Sequence, residues 1–138
     1  MTYTQRLLNR FEQFNIAEKI IFINVVCFVL PFFVKTLLFL FDLPEQIFFD
    51  WFDLSPHLAT FIYHPWSLVT YGFLHGSFGH ILWNMLLLYY ASQFFLNLFP
   101  AKRFLHVYFS GIIAGGLVFL ISFALFPVFK GHYPRLVG

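Results

Sequence analysis

Three long apolar segments occur along the chain, separated by stretches that are richer in polar residues. The first is "IIFINVVCFVLPFFVKTLLFLF", residues 20–41, the second covers residues 78–99 and the third covers residues 104–126. Because a helix needs about 20 mostly apolar residues to cross a bilayer, each segment predicts a transmembrane helix. We expect Pro31 to kink the first helix, and Lys35 to extend its ammonium group toward the interface.

The segments outside the three spans have different patterns. Residues 1–19 place apolar residues at roughly helical spacing among charged ones, which indicates either a short helix on the membrane surface or a frayed terminus. Residues 42–77 combine acids, prolines and histidines with aromatic residues such as Trp51 and Trp66. Such aromatics collect at the membrane–water boundary, so we expect an ordered interfacial loop. Ser77 is the expected N-cap of the second span.

Composition excludes an ordinary soluble domain. Of 138 residues, 60% are hydrophobic and 10% charged, whereas soluble domains carry about 25% charged residues. The basic residues are scattered, so no nucleic-acid partner is expected. Cys27 is the one cysteine, which excludes an internal disulfide, and its apolar surroundings favour a packed thiol. We expect an N-terminal segment over residues 1–19 and a membrane domain over residues 20–138, with the first span retained as an anchor.

The distribution of charge predicts an orientation. Cations precede the first span and occupy the turn after the second: Arg6, Arg10, Lys19, Lys102 and Arg103. The loop over residues 42–77 carries acids without cations, so the N-terminus is expected to be cytoplasmic and this loop external. Gly138 is then external, although Lys130 and Arg135 oppose the assignment. The short leader fits a bacterial inner membrane.

Three polar side chains, His75, His80 and Asn84, lie in the apolar stretch "HGSFGHILWN". His80 and Asn84 share one helix face because they are four residues apart. Four interpretations are open: packing through interhelical hydrogen bonds, a metal site, a proton relay, or donors that stabilise an oxyanion. The five-residue interval between the histidines differs from the i, i+4 pair of helical zinc sites, and no carboxylate or cysteine joins them.

These residues carry a resemblance to a known family. The stretch "PWSLVTYGFLHGSFGHILWNM", residues 65–85, resembles the start of the second transmembrane helix of rhomboid intramembrane serine proteases, whose motif is His-x-x-x-x-His-x-x-x-Asn. "YFSGIIAGGL", residues 108–117, resembles their glycine-rich third helix, and the likeness extends over roughly residues 60–138. It implies an all-α polytopic bundle of six transmembrane helices, of which three are present here. It also implies a serine in a Gly-x-Ser-Gly box on the fourth helix and a histidine base on the sixth.

By this resemblance His80 and Asn84 contribute to the oxyanion hole, His75 supports it, and neither cofactor nor metal is needed. Two features depart from the family: Trp51 is followed by phenylalanine where arginine is common, and the nucleophile box is missing. We therefore expect an N-terminal fragment that lacks the nucleophile serine and the general-base histidine, with Gly138 as the first glycine of the box.

Two functions follow from the resemblance. The first is a serine endopeptidase that hydrolyses peptide bonds in or near transmembrane segments of membrane proteins, within a lipid bilayer. On this hypothesis the 138-residue chain alone is inactive. The alternative is a non-catalytic rhomboid-like protein that binds or escorts membrane clients.

Overall fold

The computed structural model describes residues 2–44 and 46–129, and the expectation about Gly138 lies outside them. The described part of the chain is helical, without strands. Its α-helices are α1 (Tyr3–Gln13), α2 (Ile16–Leu40), α3 (Gln46–Phe52), α4 (Leu58–Tyr63), α5 (Ser67–Thr70), α6 (Phe78–Leu98) and α7 (Ala101–Leu125). Two 3-10 helices cover Tyr71–Phe73 and Pro127–Phe129.

The prediction of three membrane-spanning helices is confirmed by α2, α6 and α7. They contain 25, 21 and 25 residues and are apolar enough to cross a membrane. At 1.5 Å per residue the shortest is about 32 Å long, which matches a hydrocarbon core of about 30 Å. The chain is therefore an all-α polytopic membrane protein.

Capping residues explain why the helices begin earlier than predicted. Asn15 and Glu18 form a capping box: the Asn15 side chain accepts from the Glu18 N–H at 3.0 Å, and the Glu18 carboxylate accepts from the Asn15 N–H at 2.8 Å. This reciprocal pair starts α2 one turn before the apolar run. Pro100 precedes α7, so Lys102 and Arg103 lie in its first turn. Their prediction as part of an interhelical turn was wrong, because proline favours the start of a helix.

The end of α2 has a defined stop. Asp42 adopts a left-handed backbone conformation with φ of 54°. The Leu43 N–H donates to the Leu38 carbonyl at 2.9 Å and the Asp42 N–H donates to the Phe39 carbonyl at 3.2 Å. These are the two bonds of a Schellman motif, with aspartate in the position usually held by glycine. The chain thus leaves the first span in a fixed direction.

The first helix is short and packs back onto the second. Thr2 and Gln5 form a capping box at its start, so the frayed-terminus alternative does not hold. The Phe11 and Phe22 rings meet edge to face with centroids 5.2 Å apart, and the Lys19 ammonium lies 5.8 Å from the Phe11 ring. Its position on a membrane surface stays a prediction.

Two small cores hold the spans and the loop together. Near the start of α2 and α7, Ala17, Ile20 and Phe104 are buried against each other. The second core is formed by Leu54, Tyr71 and Leu120, so the loop packs against α7. The interfacial loop predicted from the aromatic residues is thus ordered into three short α-helices and one 3-10 helix.

Side-chain hydrogen bonds tie the parts of the loop to one another. The Trp66 indole Nε1–H donates to the Trp51 carbonyl at 2.7 Å, and the Thr70 hydroxyl donates to the Phe52 carbonyl at 2.7 Å. The Trp51 and Trp66 rings are stacked with centroids 5.8 Å apart, and the His64 ring contacts both. These contacts join the end of α3 to α5.

Candidate functional site

Two cavities open beside the segment that leads into α6. Cavity A has a volume of about 440 Å³ and lies between α2, α6 and α7. Its lining consists of Asn24, Tyr71, Gly72, His75, Asn84, Met85, Leu87, Leu88, Ala91, Tyr108, Gly111 and Ile112. Cavity B has a volume of about 610 Å³ and lies between α2, α3 and residues 74–78. His75 lines both cavities and so lies between them.

His75 is half-buried just before α6, and its Nδ1 atom is buried without a hydrogen-bond partner in the described part of the chain. Burial lowers the pKa of His75, and repulsion from His80 lowers it further. The nearby backbone of Phe73 acts in the opposite direction and raises the pKa of His75. No backbone group of the described residues forms a hydrogen bond with Nδ1. The imidazole is therefore held neutral more strongly than a free histidine.

The first turn of α6 positions the other two residues of the motif. Ser77 is the N-cap, as predicted, and its hydroxyl oxygen accepts from the His80 N–H at 3.3 Å. The His75 and His80 rings meet edge to face with centroids 5.4 Å apart. One turn later, Asn84 is half-buried and lines cavity A, whereas His80 is exposed and lies outside this cavity. His75 thus links its neighbours, by a ring contact to His80 and by a shared cavity with Asn84.

Sequence reasoning missed three polar residues of cavity A, which are Asn24, Tyr71 and Tyr108. Asn24, on α2, is fully buried, and its amide donates to the Ile20 carbonyl at 2.9 Å and to the Tyr108 hydroxyl at 3.2 Å. Its Oδ1 atom is buried without a hydrogen-bond partner in the described residues. An asparagine inside an apolar span is costly unless it is partnered, so this residue was itself a signal in the sequence.

Tyr71 brings the loop to the floor of cavity A. Its hydroxyl donates to the Ile112 carbonyl of α7, and burial raises the pKa of Tyr71. A Cβ atom at Gly115 would lie 2.9 Å from this hydroxyl, while at Gly111 it would meet nothing within 4 Å. The missing side chain at Gly115 therefore makes room for the Tyr71 hydroxyl, and the missing side chain at Gly111 leaves cavity A wider.

The chemistry available at cavity A is hydrogen bonding by neutral groups. Imidazole, amide and phenol groups line it, together with apolar side chains. In the described residues no three His, Cys, Asp or Glu side chains are grouped closely enough to hold a metal ion. The positive end of the α6 dipole lies at the same level as His80. This arrangement can stabilise a negative charge that develops on an oxygen atom.

Comparison with protein families identifies the domain to which the loop before α6 and the helices α6 and α7 belong. The family model described as the rhomboid domain matches residues 63–131, which is half of the 138-residue chain. The chain belongs to the rhomboid family. Neither the comparison with curated proteins nor that with solved structures found a significant match. The rhomboid match includes His75, His80 and Asn84, whereas Asn24 lies before it.

Proposed function

We propose that the chain belongs to a rhomboid-type intramembrane serine endopeptidase that cleaves peptide bonds in or near transmembrane segments of membrane proteins. The observation that carries the proposal is that Asn84 and His75 line one cavity between the membrane-spanning helices of a rhomboid-family chain. Polar groups in this position would be exposed to the reacting peptide and shielded from the acyl chains.

In the proposed mechanism a serine hydroxyl attacks the peptide carbonyl carbon while a histidine accepts the hydroxyl proton. The same histidine then gives that proton to the leaving amine, and water hydrolyses the acyl-enzyme. Both residues would come from a part of the full protein outside these 138 residues.

The residues of this chain would act on the oxyanion of the tetrahedral intermediate. We assign the Asn84 amide as the donor inside cavity A. The His80 imidazole N–H, one turn earlier on the same face of α6 and outside that cavity, would be the second donor, oriented by its ring contact with His75. Donors fixed before the reaction stabilise charge more effectively than water does, because they need no reorganisation in the transition state. The lowered pKa of His75 favours a neutral ring beside His80 and limits repulsion between the two.

The cellular setting forms part of the same proposal. Cations at Arg6, Arg10 and Lys19 favour a cytoplasmic N-terminus, which would place the loop before α6 and the motif residues on the external side of a bacterial inner membrane. The partners would be transmembrane protein substrates and the lipid bilayer.

The decisive experiment replaces Asn84 by alanine in the full-length protein and measures kcat on a transmembrane substrate. Loss of a principal oxyanion donor raises the barrier by about 2–4 kcal/mol, so kcat should fall by at least about thirtyfold. Asn97→Ala is the matched control, because Asn97 is an exposed asparagine near the other end of α6. An unchanged kcat for Asn84→Ala would show that Asn84 is not an oxyanion donor and would favour the packing interpretation.

A non-catalytic, client-binding rhomboid protein is the second candidate, because the family match and cavity A are equally compatible with it. The coding sequence downstream discriminates: a Gly-x-Ser-Gly box and a later histidine in an apolar span favour the peptidase. The 138-residue chain itself should not react with a serine-directed fluorophosphonate probe. Labelling of this chain would show that a nucleophile is already present in it.

A further inference from the structure

Cavity B contains a charge that the proposed peptidase function does not use. Among the described residues of its lining, Lys35 is the one charged side chain, and the Lys35 ammonium lies 4.7 Å from the centroid of the Phe49 ring. No carboxylate of the described residues forms an ion pair with it. A cation at a membrane boundary attracts an anion, because the surrounding medium screens the charge poorly.

The polarity of cavity B changes along the membrane normal. Lys35 lies near the end of α2 and His75 just before the start of α6, so both mark the same boundary of the membrane. Phe32 and Phe28 follow on the same wall, one and two turns closer to the bilayer centre. The cavity is therefore cationic at the interface and apolar below it, which is the arrangement that complements a phospholipid.

The volume of cavity B suits a ligand of this kind. At about 610 Å³ it lies within the range of small-molecule sites, roughly 300–1,000 Å³. This can hold a head group with the upper part of an acyl chain, while the rest of the lipid extends into the bilayer. Cys27 and Leu74 add apolar surface to the wall.

We propose that cavity B binds an anionic phospholipid, with the phosphate beside the Lys35 ammonium and an acyl chain against Phe28 and Phe32. His75 belongs to the lining of cavity B, so it would lie beside the head group. Because His75 also lines cavity A, the bound lipid touches the wall of the candidate functional site. The binding itself does not depend on the proposed peptidase function.

The test is native mass spectrometry of the full chain, released from detergent micelles and titrated with phosphatidylglycerol or phosphatidylcholine of identical acyl chains. We expect wild type to prefer phosphatidylglycerol, and Lys35→Gln to weaken its binding about fivefold, as expected for one cation near a lipid surface. Lys35→Arg should keep the preference. Lys19→Gln is the matched control, because Lys19 also lies over a phenylalanine ring, at the opposite end of α2.

Each other outcome overturns the proposal. Equal binding of the two lipids by wild type would show that cavity B does not select an anionic head group. An equal loss in Lys19→Gln and Lys35→Gln would show non-specific attraction to the surface. Competition by inorganic phosphate as strong as that by the lipid would show an anion site without a lipid component. Because no step measures proteolysis, failure of the lipid proposal would leave the peptidase proposal standing. Failure of the peptidase proposal would likewise leave the lipid proposal standing.

Discussion

Replacement of Gly116 by alanine tests how the loop is held on α7. A Cβ atom at this position would lie 2.7 Å from Leu68 Cδ1, 3.0 Å from Tyr71 Cε1 and 3.1 Å from Leu54 Cδ2. The Leu68 methyl group can swing aside, but Leu54 is fully buried and the Tyr71 ring is held by its hydrogen bond to α7. One rotamer change therefore cannot relieve all three contacts.

The expected magnitude is the difference between two effects. Overpacking of a filled core costs about 1–3 kcal/mol, while replacing glycine by alanine inside a helix gains up to about 1 kcal/mol. Gly116→Ala should therefore lose between about 0 and 3 kcal/mol. Gly111→Ala is the matched control on the same helix, because a Cβ atom there meets nothing within 4 Å. It should gain up to about 1 kcal/mol, so the two variants should differ by roughly 1–3 kcal/mol.

The measurement is an unfolding titration of the chain in mixed micelles with increasing SDS. Helical circular dichroism follows the spans. In a Trp83→Phe background tryptophan emission follows the loop, since Trp51 and Trp66 lie in the loop and Trp83 lies in α6. Gly116→Ala should lower the midpoint of the tryptophan transition relative to Gly111→Ala. Coincident midpoints for the two variants would refute the conclusion that Gly116 is the contact surface for the loop.

Three further predictions concern individual polar groups. Tyr108→Phe removes the interhelical hydrogen bond from Asn24 and should cost about 0.6–2 kcal/mol in the same titration; an unchanged midpoint would show that water replaces the hydroxyl without loss. Tyr71→Phe should cost about 0.5–1.5 kcal/mol and shift tryptophan emission before helical dichroism, whereas a simultaneous shift would argue against a loop-specific anchor. Because the folded-state pKa of His75 is lowered, the unfolded chain takes up the proton first as the pH falls below about 6.5, and stability should decrease in that window. Melting temperatures of wild type should fall there more than those of His75→Gln, and parallel curves would contradict the assignment.

Hydropathy was sufficient to predict the three spans, because burial in lipid demands a long apolar run whatever the neighbouring helices are. The ends of the helices needed local chemistry as well: Asn15 with Glu18 starts α2, and Pro100 starts α7. The end of the first span next to Asp42 was predicted from hydropathy. The left-handed conformation of Asp42 was not predicted, since aspartate adopts it less readily than glycine.

The sequence was sufficient to predict how the motif residues are spaced along α6, but not which residues of other helices complete the site. The interval between His80 and Asn84 fixes their shared helix face, and Ser77 fixes where that helix begins. The contact between Asn24 and Tyr108 joins residues 84 positions apart in the chain. A pairing of this kind depends on how α2 packs against α7, which a local pattern does not contain. The assignment of His80 and Asn84 to an oxyanion site stays a prediction.

The hydrogen bonds from Trp66 and Thr70 to the carbonyls of Trp51 and Phe52 have a mechanical consequence. A seven-residue helix has no later turn of its own to occupy the acceptors at its C-terminal end. The side chains of Trp66, just before α5, and of Thr70, its last residue, occupy them instead. These hydrogen bonds couple the two short helices, so a proteolytic nick in the connection between them should leave both fragments associated. Because the Tyr71 hydroxyl donates to the Ile112 carbonyl of α7, a tilt of α7 should displace α3 and α5 with it.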